Sequence, residues 1–305
     1  MPSPPAAADR TAAACAWCGA DLSAGGRRGG GRIACARCGA ATTDPWPSQE
    51  VLASAYAGWY RPAEGRFAGA GDALLRRARG TLAGRLDRIA PPGRVLDVGA
   101  GDGALLDALR ARGRDALGLE LVSTRPDVLA LDVADVEETD WAAVVFWHSL
   151  EHLPEPGRSL ARAAALLRSG GVLVVAVPNS DSLQARVFGD RWFALDLPRH
   201  LVHLPAETLL RRLDELGLRR RRVSHLRGGQ VVFGWLHGLV DRLPGRPNLY
   251  DAIRRPEARS AAVPVARRAY ALGAAAVLLP VAALAAALEA ALRRGGSVYV
   301  EAVRG

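Results

Sequence analysis

The sequence predicts an α/β chain built on a doubly wound, mostly parallel sheet. Two observations carry this. From Val95 onward, short apolar runs of strand length alternate with segments of helical periodicity. At the head of that alternation, Val95–Val98 leads into glycines at every second position, Gly99, Gly101 and Gly103, and then into the helical stretch Ala104–Ala111. Strand, glycine turn and helix in that order bring backbone N–H groups up to a nucleotide-like ligand, where side chains would stand in the way. The length agrees: 305 residues, half of them hydrophobic, are enough for one large α/β unit and a small one.

Residues 1–14 are rich in Pro and Ala and lack the basic-then-apolar order of a leader, which predicts a disordered tail and a cytoplasmic chain. Thiols stay reduced in that compartment, so the four cysteines point to metal rather than disulfides. Cys15-Ala-Trp-Cys18-Gly19 and Cys35-Ala-Arg-Cys38-Gly39 are matching knuckles with sixteen residues between them. That is the spacing of a zinc ribbon, here over residues 15–41. Four thiolates complete a tetrahedral zinc and leave no open position, so this metal is structural. The Gly/Arg-rich stretch Asp21–Arg32 reads as a loose loop, and Thr42–Ser48 as a linker by its prolines.

The elements follow in order. Gln49–Tyr60 is a short amphipathic helix carrying Val51, Leu52, Tyr56, Trp59 and Tyr60. Asp72–Ile89 is a longer one, with Leu74, Leu75, Leu82, Leu86 and Ile89 on its apolar side, and Pro91-Pro-Gly93 ends it. Strands are expected at Val95–Val98, Ala116–Leu121, Val128–Val133, Ala142–Trp147 and Val172–Val177, with a helix at Gly157–Arg168 capped by Gly170-Gly171. Pro205–Leu216 is helical, Arg219–Leu226 a sixth strand and Ser297–Arg304 the last. The α/β unit is thus residues 49–228 together with 297–305. Residues 229–296 form a helical insertion, long for a connection in a compact domain. Within it, Ala271–Leu288 runs eighteen residues without a charge and is broken at Pro280.

The formal charge of +9 is not read as a nucleic-acid signal. All 40 basic residues are arginine, they are spread along the chain, and the Arg/Ala/Gly excess reads as coding bias. The run Arg219–Arg222 reads as a solvated strand edge.

Glycine spacing alone leaves the ligand open. Gly99, Gly101 and Ala104 also satisfy the dinucleotide pattern, so NAD and other adenosine cofactors fit equally. Glu120, at the end of the second strand, can accept ribose hydroxyls under either reading.

Five motifs in order narrow it: Val95–Gly103, Gly118-Leu-Glu120, Leu131-Asp-Val133, Phe146–Pro154 and Gly170–Asn179. On these the chain resembles class I S-adenosylmethionine-dependent methyltransferases of the small-molecule type over about Val95–Leu226, with the final strand added. Asp196-Leu-Pro-Arg-His200-Leu and an N-terminal zinc ribbon also resemble arrangements in that group. The resemblance implies a Rossmann-like seven-stranded sheet whose last strand is antiparallel, between strands five and six. It implies that Asp97, Gly99, Ala100, Gly101 and Gly103 hold the methionine and ribose end of S-adenosylmethionine. Glu120 would take the ribose hydroxyls, Asp132 and Val133 the adenine, and His148 would lie beside the sulfonium and the acceptor.

Methyl transfer asks for alignment and exclusion of water, because the cofactor carries the activated methyl. A general base is needed only for an acceptor protonated at working pH. His148 and His200 are the best-placed candidates, ahead of His152 and His203. Glu151-His152 also resembles the Glu-His pair of quinone-precursor methyltransferases, where a metal assists, but the acidic residue three positions earlier is His148 here. The expected acceptor is a small molecule such as a sugar, polyketide or lipid-linked intermediate. For residues 229–296 a cap packed on protein is favoured over contact with a membrane surface, and a span is disfavoured because the last strand must rejoin the sheet. Two other readings stand beside the methyltransferase: an NAD-dependent oxidoreductase on the same loop, and a non-catalytic zinc-ribbon adaptor.

Overall fold

The computed structural model describes residues 11–23, 25–57, 67, 71–121, 125–226, 230–259 and 261–305. Most of the expected tail, and Trp59 and Tyr60 of the first helix, lie outside them. Three short strands open the chain: β1 (Arg27–Gly29), β2 (Arg32–Ala34) and β3 (Ala41–Thr43). Helices α1 (Gln49–Ala57) and α2 (Gly71–Ile89) follow. Then come β4 (Val95–Val98), α3 (Ala104–Arg110), β5 (Ala116–Leu119), β6 (Val128–Leu129), β7 (Trp141–Trp147), α4 (Pro156–Leu166) and β8 (Leu167–Pro178). After α5 (Leu183–Phe188), β9 (Val202–His203), α6 (Ala206–Glu215) and β10 (Leu218–Ser224), the insertion contributes α7 (Val231–Asp241), α8 (Leu249–Ile253) and α9 (Val265–Ala291). The last strand is β11 (Ser297–Arg304).

The large sheet has seven strands in the order β10-β11-β8-β7-β4-β5-β6. The pairs β7–β8, β4–β7, β4–β5 and β5–β6 are parallel, and β11 runs antiparallel to both β8 and β10. The fold class expected from the sequence is therefore the one observed. Both faces are covered, which is why the central strands read as unbroken apolar runs. Strand alternation divides them: Val172, Val174 and Ala176 pack with Leu82 and Leu86 of α2 and Leu105, Leu106 and Leu109 of α3. Leu173, Val175 and Val177 face the other way, against Leu160 of α4 and Leu209 and Leu213 of α6. Each fully buried Val or Leu contributes about 1.5–3 kcal/mol relative to exposure.

A second sheet has the order β1-β2-β3-β9. Its last strand comes from the middle of the chain: Ala41 pairs with His203 and Thr42 with Val202. Cys15, Trp17, Leu22, Ile33 and Cys35 belong to the same buried cluster as Leu160, Leu209 and the strands of the large sheet.

Several expected elements differ. The third strand stops at Leu129, because the Asp132 carboxylate accepts the Ala134 N–H and caps a 3-10 turn, Val133–Asp135. The second strand stops at Leu119, so Glu120 stands just beyond its end. Gly170-Gly171 does not cap a helix. The helix ends at Leu166, Leu167 pairs with Trp141 and Val172 with Ala143, so residues 168–171 bulge from the ladder. The loop expected at Asp21–Arg32 contains β1 and the start of β2. In α2 only the C-terminal half packs: Leu82, Leu86 and Ile89 are buried, whereas Leu74 and Leu75 are exposed. Pro280 does not break α9, which is one helix of 27 residues.

Candidate functional site

The glycine loop sits at the C-terminal end of β4, where open α/β sheets place their ligands. Gly99, Gly101 and Gly103 all have positive φ, at 81°, 58° and 75°. Gly99 has a second reason to lack a side chain: a Cβ there would stand 2.3 Å from the Cβ of Ser149. The Ser149 hydroxyl in turn donates to the Val98 carbonyl. The N–H groups of Gly99 and Ala100 both reach the Leu119 carbonyl, at 2.8 and 2.9 Å, which locks the loop to the end of β5. Gly118 permits that contact, since its Cβ would lie 2.7 Å from the Ala100 Cβ. Glu120 accepts the Gly101 N–H at 3.0 Å and the Leu121 N–H at 3.0 Å. Asp97 is buried beneath the loop. Asp132 and Val133 lie at the 3-10 turn, and the Val133 side chain is in the core, so only its backbone can face a ligand. The Gly101 N–H and the Glu120 carboxylate are thus held together at the strand ends, with the Arg125 side chain against Gly103.

Past β7 the chain turns sharply. His148 has φ 54°, and its N–H donates to the Ala176 carbonyl at 2.8 Å. That turn gathers a cluster of histidines around one acid. Glu151 is 2% exposed. His148 Nδ1 stands 3.5 Å from its Oε1 and His200 Nε2 3.9 Å. Burial opposes its charge, yet the neighbouring His148, His200 and His152 hold the carboxyl down at about 2. His200 is fixed through Nδ1 on the Ala194 carbonyl at 2.9 Å, with its Nε2 3.6 Å from Asp196. His152 meets the Arg199 carbonyl and the Tyr56 hydroxyl, each 3.0 Å from Nδ1, and its ring stands edge-on to His200 with centroids 4.6 Å apart. Burial pushes His152 down to about 4, with the His200 charge adding to it. His203, paired with Thr43 at 3.1 Å, is pushed down to about 3, again first by burial. The structure thus brings His148 and His200 together through Glu151. Ligand atoms of Glu151, His152 and His200 lie within 4.8 Å of one another.

Sequence reasoning did not single out Ser149 or the Tyr56–His152 contact, and it gave Asp196 only as the head of the Asp196–Leu201 stretch. The partners of Ser149 and Tyr56 are distant in sequence, so no local pattern marks those contacts.

Beside the cluster opens a cavity of about 420 Å³. One wall is the loop Asp190–Arg199, with Trp192, Phe193, Asp196 and Arg199; the other belongs to the insertion, with His237, Tyr250 and Arg254. Phe193 stacks against His237 and Tyr250, with centroids 4.8 and 5.3 Å away. Asp196 lines this cavity and also faces His200.

In the N-terminal unit the four cysteines converge. Their sulfurs lie within 4.8 Å of one another, with Cys15–Cys38 and Cys18–Cys35 both at 3.7 Å. A tetrahedron with zinc–sulfur bonds of about 2.3 Å has edges of about 3.8 Å, so the donor set fits zinc. Each knuckle is closed by a glycine N–H on the first cysteine's carbonyl, Gly19 to Cys15 at 2.8 Å and Gly39 to Cys35 at 2.9 Å.

Residues 72–222 match the family described as a methyltransferase domain. The chain carries a methyltransferase domain. Among curated relatives of this domain, a ubiquinone biosynthesis O-methyltransferase of Xanthomonas campestris pv. campestris is 29% identical over 38% of this chain and 57% of its own length. One of Pectobacterium atrosepticum is 27% identical over 44% of this chain and 65% of its own. The chain thus spans little more than half the length of the curated relatives it matches. Among solved structures, a SAM dependent methyltransferase from Archaeoglobus fulgidus aligns with 74% of this chain and 94% of its own at 18% identity and a TM-score of 0.44.

Proposed function

We propose that this chain is an S-adenosylmethionine-dependent methyltransferase acting on a small-molecule acceptor, with a structural zinc ribbon at its N-terminus. The observation that carries the reading is the strand order. A dinucleotide fold has all its strands parallel, in the order 3-2-1-4-5-6. Here β11 is antiparallel and lies between β8 and β10, in the same sheet that presents Gly99–Gly103. This counts against the NAD reading, which the glycines alone allow.

In this reading Asp97 and the loop Gly99, Ala100, Gly101 and Gly103 hold the methionine and ribose end. Glu120 exchanges its backbone N–H partners for the ribose hydroxyls, and Asp132 with the Val133 backbone meets the adenine. The cofactor supplies an activated methyl on a cationic sulfur. The protein's part is to seat the acceptor and shut out water. Trp192, Phe193 and Tyr250 give the cavity an apolar wall for it. His148 and His200 are the proton acceptors for an acidic acceptor group. Glu151, charged between them, favours the imidazolium of whichever takes the proton. Cys15, Cys18, Cys35 and Cys38 hold the zinc. Ubiquinone biosynthesis enzymes among the relatives support a hydroxylated ring as one acceptor class.

Calorimetric titration tests this directly. S-adenosylhomocysteine binds and NAD does not, and Glu120→Gln weakens S-adenosylhomocysteine by about 10- to 100-fold, the loss of a charge-assisted contact to two hydroxyls. Binding of NAD with no affinity for S-adenosylhomocysteine would overturn the reading.

A further inference from the structure

The insertion carries an inverted helix. In a soluble protein a packed helix turns its large apolar residues inward and its polar ones out. In α9 the buried seam is alanine, Ala271, Ala275, Ala282 and Ala286, with Glu289 at its end. These small residues let α9 lie close against α7. The large residues point the other way: Val277 is 77% exposed, Leu284 72% and Leu288 56%. Val281 and Leu292 lie on the same side, Leu272 and Leu279 are exposed along the edge of the alanine seam, and no polar side chain is exposed between Leu272 and Leu292. Only 17% of this apolar stretch is buried. A contiguous face of about 30 Å of helix exceeds what a monomer ordinarily leaves in water.

We propose that this face rests on an anionic bilayer surface. Charge placement selects that occupant. Arg267 stands before the apolar stretch and Arg293 after it, both exposed, on a chain of net charge +9, whereas Arg268 is turned inward onto the body. Arginines at the ends of an apolar helix face reach lipid phosphates while the face enters the acyl boundary. The attachments of α9 make it lie in the surface rather than cross it. At one end Arg268 donates to the Ala252 carbonyl of α8 at 2.9 Å and Arg267 to that of Gly245 at 2.6 Å. At the other, the Arg294 carbonyl accepts the Leu183 N–H at 3.1 Å, and β11 enters the sheet three residues later. Both ends are thus held by one folded body, and a crossing would carry the α8 wall of the cavity to the far side. This inference goes beyond the proposed methyl transfer and does not depend on it.

The test is flotation of the full chain with vesicles of phosphatidylcholine alone or mixed with phosphatidylglycerol. The protein floats with the mixed vesicles, high salt weakens the binding, and Val277→Glu with Leu284→Glu lowers it at least about tenfold. Circular dichroism and the unfolding temperature of that variant stay native, because both positions are exposed. Arg293→Glu, which leaves the apolar face intact, also weakens binding to the mixed vesicles. Absence of flotation with either vesicle overturns the proposal. So does a dimer in solution that the double glutamate variant splits while vesicles are ignored, since the face would then belong to a second copy.

Discussion

At the scale of single residues, Gly99 is where backbone conformation and packing make the same demand. Its φ of 81° is strained for any L side chain, and a Cβ would meet Ser149 at 2.3 Å. Gly99→Ala is expected to cost about 2–3 kcal/mol in urea unfolding and to abolish S-adenosylhomocysteine binding. Adding Ser149→Gly relieves the clash but not the backbone strain, so it restores part of the stability. An alanine variant as stable as the parent would show that the loop relaxes without cost. Residues of this kind were half legible beforehand. The glycines, Glu120 and the cysteines announce themselves because their chemistry is local in sequence. Glu151 did not declare that it sits between His148 and His200, since His200 arrives from a loop some fifty residues further on. Nor did Ser149 declare its place under Gly99.

At the scale of elements, the insertion is fastened by one buried acid. Glu289 is fully buried and accepts the Gln184 N–H at 3.0 Å, Gln184 Nε2 at 2.9 Å and Trp235 Nε1 at 2.7 Å. It ties α9 to α5 and α7 together. Glu289→Ala strands three buried donors and is expected to cost about 3 kcal/mol or more. Hydrogen exchange should show protection lost in α7 and α9 ahead of the central sheet; equal loss everywhere would contradict a local fastening. The elements themselves were legible where periodicity is strong. Ser297–Arg304 is a strand as expected, and α3, α4 and α6 lie within two residues of their expected ends. Failures came where a side chain competes with the backbone, as at Asp132, or where a bulge absorbs residues, as at Arg168–Gly171. Pro280 misled because a helix can give up one backbone hydrogen bond when its neighbours hold the axis.

At the scale of the whole molecule, the cysteine knuckles and the sheet share one core. Trp17 and Leu22 pack in the cluster that holds Leu160 and Leu209, the Thr208 hydroxyl donates to the Cys38 carbonyl at 2.7 Å, and Gly157 leaves room for the Trp17 carbonyl. With zinc held there as proposed, a chelator, or Cys35→Ser, should therefore lower the unfolding temperature of the whole protein by about 5 °C or more in a single transition. Metal release with no change in melting would mean the ribbon is thermodynamically separate. That the seven-stranded architecture could be anticipated, and this fusion could not, has one cause. Sheet order follows from the alternation of elements, whereas docking of one unit on another depends on surfaces that are complementary only once both are folded.

The pairing of β3 with β9 also bears on how the chain is made. The cysteine-bearing unit is synthesised before the large sheet, yet one edge of its own sheet has no partner until Val202 and His203 have been added. Through that interval a nascent chain exposes an open strand edge, the template on which two growing copies can pair wrongly. The N-terminal unit is accordingly a poor module to cut out or transplant. Its fourth strand is encoded some 160 residues downstream, in the same stretch that supplies His200.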